Sequence, residues 1–109
     1  MKPRRRLRLQ VTFAALREAG DWRPLPGCPG RWVLPGPRAV SPADLVGQGV
    51  PVRVHEVPGA RDPVHVAVVP GGGLISYARA DGRFVHTLND DEGLRRKLEQ
   101  LGVPCEPAP

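Results

Sequence analysis

The chain predicts a single α+β domain in which a mainly antiparallel sheet of four or five strands is packed by an N-terminal and a C-terminal helix. Three observations predict it. Valines alternate with polar residues at Val50, Val52 and Val54, and an apolar run follows at residues 64–69, both bounded by Gly and Pro. An Asp81-Gly82 pair separates two further extended stretches, the signal of a tight hairpin. After residue 88 the leucines change to helical spacing between a capping signal and a terminating glycine.

The elements follow in order. Residues 6–13 alternate polar and apolar, with Leu7, Leu9, Val11 and Phe13 on one face of a strand. Leu9, Phe13 and Leu16 also fit helical spacing, and the helix-forming stretch from Ala14 ends at Gly20. A helix over about residues 10–19 is predicted, and residues 6–12 stay open between strand and helix. Residues 21–49 are rich in Pro and Gly, so they predict irregular chain around one short strand at residues 31–34, with Trp22 and Trp32 as anchors. Ser41 followed by Pro42 predicts about one turn of helix before Gly47.

Residues 50–103 read as a β-meander closed by a helix. Pro70-Gly71-Gly72-Gly73 is expected to turn the chain into a strand over residues 74–79. A two-residue turn at Asp81-Gly82 sets Arg79 opposite Phe84, Tyr77 opposite His86 and Ile75 opposite Leu88, all on one face. Asn89 is the expected N-cap of the last helix, with Asp90 and Asp91 in its first turn and Glu92 closing a capping box. Leu94, Leu98 and Leu101 form its buried stripe, Gly102 its left-handed end, and Pro104 forbids continuation into a flexible tail over residues 104–109. Residues 1–8 are a basic arm.

Charge narrows the functional classes. Sixteen basic residues stand against 11 acidic ones, a net charge of +5, and 14 of the 16 are Arg. Arginine's planar fork suits phosphate and carboxylate, although a GC-rich genome also favours Arg, Pro, Gly and Ala. Arg4, Arg5, Arg6 and Arg8 at the N-terminus and Arg95, Arg96 and Lys97 on the last helix are the candidate nucleic-acid contacts. With only five aromatics, sequence-specific stacking on single strands is not expected. Cys28 and Cys105 lie far apart and outside any metal-binding spacing, so free thiols and a cytoplasmic location are expected. No secretory leader or membrane span is expected.

Other candidates are weaker in pattern. If Val54 pairs with Val66, His55 faces His65 across a ladder, the beginning of a metal site that no third ligand completes. Tyr77, Arg79 and His86 on one sheet face would combine a phenol, a guanidinium and a general base, a group able to bind phosphate or cleave RNA. The competing expectation is that they are packed beneath the last helix. The Gly71-Gly72-Gly73 run is not followed by a helix, so it does not read as a phosphate loop, and no cofactor motif is present.

Tyr77-Ala78-Arg79-Ala80-Asp81-Gly82-Arg83 together with the helix from Leu94 to Val103 resembles the last third of HicA-type toxins, over about thirty residues. The resemblance implies a small RNA-cleaving protein with a double-stranded-RNA-binding-like fold. Leu74 stands where that family carries its catalytic His, and the proline-rich residues 21–37 have no counterpart in the family's short first half, so the likeness is one of architecture. The leading functional expectation is therefore a non-enzymatic nucleic-acid-binding module. The alternatives are a homodimer formed through a sheet edge at residues 64–69, and a toxin-like RNA-cleaving protein.

Overall fold

The fold was obtained as a computed structural model, which describes residues 11–47 and 49–104. Its order is α1 (Phe13–Ala19), β1 (Arg23–Pro24), β2 (Arg31–Val33), α2 (Pro42–Val46), β3 (Arg53–His55), β4 (Val64–Val69), β5 (Gly72–Ala78), β6 (Phe84–Asp90) and α3 (Asp91–Leu101). The class is α+β as expected, but among the described residues the sheet has six strands rather than four or five, antiparallel throughout in the order β1-β2-β6-β5-β4-β3. The additional strand, β1, is a two-residue pairing that includes Pro24, tolerated because a sheet edge does not need proline's missing donor.

Alternation along the strands divides the core in two. Val64, Val66 and Ile75 face α3 and pack with Leu94, Leu98 and Val103. Ala67 and Leu74 face the other way and pack with Val46 of α2, joined by Leu16 of α1, Trp22, Val50 and Val52. The sheet is thus covered on both faces, by α3 on one side and by α1 and α2 on the other. Helix α1 begins at Phe13, where Thr12 accepts from the Ala15 amide. The open question over residues 6–12 falls mostly on residues 6–10, outside the described residues, as do Arg4, Arg5, Arg6, Arg8 and Cys105.

Three local expectations shift by one or two residues, and each shift has a physical cause. The hairpin at Asp81-Gly82 is not the two-residue kind, which requires positive φ at both residues. Only Gly82 has it, at 83°, while the Asp81 carboxylate accepts from the Arg83 amide, and the Arg79 amide bonds the Arg83 carbonyl across a three-residue loop. The extra loop residue makes the pairs Ser76 with His86 and Tyr77 with Val85. At the preceding turn only Pro70-Gly71 bends, Gly71 taking φ 92°, and Gly72 and Gly73 lie within β5. A Cβ on Gly73 would stand 2.9 Å from Leu94 Cδ2, so this glycine lets α3 approach the sheet.

At the third place, β6 continues through Asn89, and Asp90 rather than Asn89 caps α3 by accepting from the Gly93 amide at 2.8 Å. The far end of α3 is as the sequence implies: Gly102 is left-handed (φ 72°, ψ 26°), and the Val103 amide returns to the Leu98 carbonyl. Replacing Gly102 by alanine is expected to cost about 1 kcal/mol, because a Cβ is strained at that φ. Urea denaturation would show it as a lower midpoint at unchanged slope.

Strand β4 lies inside the sheet, paired to both β3 and β5. Over residues 64–66 the edge expected to receive a second copy is therefore occupied by β3. The short β3 supplies that edge, and its Val54 is 57% exposed.

Candidate functional site

The residues expected to form a catalytic group are separated by the hairpin register. Tyr77 lies on the α3 side of the sheet, and His86 lies on the opposite side, opposite Ser76. Arg79 is at the hairpin tip, where its Nε stands 3.6 Å from the Asp81 carboxylate. His86 is fully buried. Its Nε2 lies 2.9 Å from the Val40 carbonyl, which can only accept, so Nε2 carries the proton and Nδ1 accepts from the Ser76 hydroxyl at 2.7 Å. Burial holds the His86 imidazole below its ordinary range. The Val40 carbonyl offsets part of that, and Arg38 adds to it.

A hydroxyl donating to an imidazole is the arrangement of an activated nucleophile. Here Ser76 is as fully buried as His86, and the ring stacks on Phe84 at 5.7 Å. The pair ties Val40 to the sheet, beside the backbone pairing of Arg38 with Phe84.

The expected His55–His65 pairing does not form. Val54 lies opposite His65 and His55 opposite Val64, a register one residue from the one required, so the two imidazoles stand on opposite faces. His65 instead meets the Phe84 ring edge-on at 5.3 Å. Among the described residues no group of three His, Cys, Asp or Glu side chains is placed to hold a metal.

The cations of α3 are not equivalent. Arg95 pairs with Glu99 at 3.8 Å, and Arg96 pairs with Glu92, both in the i, i+4 relation on the exposed surface. This partly neutralises the basic face that composition suggested. The Lys97 ammonium donates to the Gln100 side-chain oxygen at 3.5 Å, an uncharged partner.

Arg96 and Lys97 do meet a third cation that sequence reasoning did not single out. They line a cleft of about 100 Å³ between α3 and the loop entering β2, together with Cys28, Arg31, Gly93 and Gln100. Gly93 is what closes this cleft: a Cβ there would stand 2.6 Å from the Gly30 carbonyl, so a larger residue would push the helix from the loop.

Arg31 is set by the sheet beneath. Its Nε donates to Asn89 Oδ1 at 2.6 Å and its Nη2 to Thr87 Oγ1 at 3.4 Å. Asn89 is itself fully buried and donates from Nδ2 to the Gly73 and Thr87 carbonyls, while the Thr87 hydroxyl donates to the Ile75 carbonyl. Beside the guanidinium, burial pushes the Tyr77 phenol up, with Arg31 opposing that shift. Both Arg31 bonds run to uncharged oxygens, so they orient the guanidinium without cancelling its charge.

The cleft is far below the roughly 300–1,000 Å³ of small-molecule and cofactor sites. It suits a single small anionic group. No helix among the described residues is long and apolar enough to cross a membrane. No protein-family model, curated protein or solved structure matches the chain, so the HicA-type resemblance remains a likeness of one hairpin and helix.

Proposed function

We propose that this chain is a non-enzymatic binding module for nucleic acid that engages phosphate through the cleft between α3 and the loop entering β2. The observation that carries this reading is the convergence of Arg31, Arg96 and Lys97, from two elements, on one small cleft. The net charge of +5 would draw a polyanion to the surface, and the four arginines of residues 4–8 would add contacts of the same sequence-independent kind. The buried Ser76–His86 pair and the separation of Tyr77 from His86 favour binding over RNA cleavage.

Each phosphate held by a Lys or Arg adds about 0.9 to the fall of log affinity with log salt on duplex DNA. Anisotropy of a short labelled duplex, titrated at several salt concentrations, should therefore give a slope of at least about 2 if the three cleft cations take part. Lys97→Gln should lower that slope by about one. Absence of binding at low salt, or affinity indifferent to salt, would show the reading to be wrong.

A further inference from the structure

The cleft differs from a surface that tracks a phosphodiester backbone. A backbone-tracking surface is an open groove, because each diester phosphate continues into a sugar on both sides. Here the cations line a small, half-open space of about 100 Å³, with loop as one wall and helix as the other. A diester group carries one negative charge. A monoester carries about −1.5 to −2 near neutral pH and presents three free oxygens.

The donors match the second description. Nε and Nη2 of Arg31 are engaged with Asn89 and Thr87, and the guanidinium also meets the Tyr77 phenol, so its charge is held in a fixed place beside the cleft. Lys97 brings three ammonium hydrogens, and Gln100 accepts from Lys97 while keeping its own amide donors. Among the described residues no carboxylate lines the cleft, and Glu92 reaches Arg96 from the exposed side of α3. The larger hollow under residues 56–63, about 440 Å³, offers no such match, since Glu56 and Asp62 offset Arg61 there.

We infer that the cleft is a phosphomonoester pocket that receives the terminal phosphate of a nucleic-acid strand, with Arg31 as its fixed donor and Lys97 as its adaptable one. This rests on the nucleic-acid reading above and names which phosphate the site selects. A chain end enters such a space with one covalent exit. An internal phosphate needs two.

The test compares labelled oligonucleotides of one sequence carrying a 5′-phosphate, a 3′-phosphate or hydroxyls at both ends, at fixed salt. At least one phosphorylated end should bind roughly tenfold more tightly than the hydroxyl-ended strand, the effect of one further charge-assisted contact. Lys97→Gln, on the helix surface, and Arg31→Gln should each remove most of that preference. Equal, salt-sensitive affinity for all three strands would overturn the terminal-phosphate inference and leave the nucleic-acid reading standing. No binding of any strand would overturn both.

A second measurement does not depend on a variant folding. Cys28 lines the cleft, so inorganic phosphate should slow its alkylation several-fold in the unmodified protein, followed by mass spectrometry of the Cys28 peptide. An alkylation rate unmoved by phosphate, at concentrations where sulfate and chloride serve as controls, would count against the pocket.

Discussion

Replacing Asn89 by alanine is expected to lower the stability of the fold by about 2–4 kcal/mol, among the largest effects of any single polar substitution in this chain. Asn89 is the chain's one asparagine, fully buried, and it satisfies groups on three strands. Its Oδ1 accepts from Arg31 on β2, and its Nδ2 donates to the Gly73 carbonyl on β5 and the Thr87 carbonyl on β6. Alanine leaves a guanidinium N–H and two carbonyls without these partners. Each buried polar group left unpaired costs about 1–3 kcal/mol, more for a charged one, and the charged member here is half-buried. Urea denaturation should give a lower midpoint at unchanged slope.

The same change should weaken nucleic-acid binding in whatever protein remains folded, because Arg31 loses the bond that orients it. Thr87→Val is the milder comparison. It removes the longer Arg31 contact, a contact from Asn89 Nδ2 and one bond to the Ile75 carbonyl, while nearly keeping the side chain's volume. A loss below about 1 kcal/mol for Asn89→Ala would mean that the network does not hold the sheet as described.

Much of the α3 side was legible in the sequence because local rules agree there. The spacing of Leu94, Leu98 and Leu101, the left-handed Gly102 and the return of Val103 onto Leu98 all specify the same helix end. What failed was register, and it failed where two readings differ by one residue. Asp-Gly is compatible with a two-residue turn and with the three-residue loop adopted here, and only the φ of Asp81 separates them. Because side chains alternate, that one residue moved Tyr77 and His86 to opposite faces. Asn89 and Asp90 are both good caps, and sequence alone does not reveal that Asn89's amide is already committed to Gly73 and Thr87.

Arg31 was illegible for a different reason. It is one of 14 arginines and stands in a stretch dominated by Pro and Gly. Its role depends on β2 pairing with β6, a contact between residues almost sixty positions apart that no local pattern encodes. The trace it leaves is slight: an Arg alternating with Trp32 and Val33 in a strand, where its side of the sheet also holds the chain's single Asn.

Acidification from neutral pH is expected to destabilise the fold well before any carboxylate titrates, and His86 is the principal cause. In the unfolded chain its imidazole titrates near 6.5, whereas burial holds it lower in the fold. Above 6.5 the ring is neutral in both states, and its contribution to stability is fully present. As the pH falls below 6.5 the unfolded chain takes up a proton that the folded chain resists, so stability declines by at most about 1.4 kcal/mol per pH unit for this one group. The decline continues until the pH falls through the folded-state value.

His65, also held low by burial, adds in the same direction. The hydrogen bonds around His86 do not prevent the loss. The Ser76 hydroxyl can turn to accept from a protonated Nδ1, but the added charge remains buried near Arg38 and stacked on Phe84, and no carboxylate among the described residues offsets it. Denaturant-derived stabilities between about pH 7.5 and 5, above the ordinary carboxylate range, should therefore slope downward toward acid. His86→Gln should flatten that slope while lowering the stability at neutral pH, and His65→Gln should flatten it less. Equal slopes for the unmodified protein and His86→Gln would place the acid sensitivity elsewhere. If His86 is responsible, the segment around Val40, whose carbonyl its Nε2 holds beside the Arg38–Phe84 backbone pair, should loosen early, and hydrogen exchange of the amides of residues 38–41 should quicken with acid relative to those of α3.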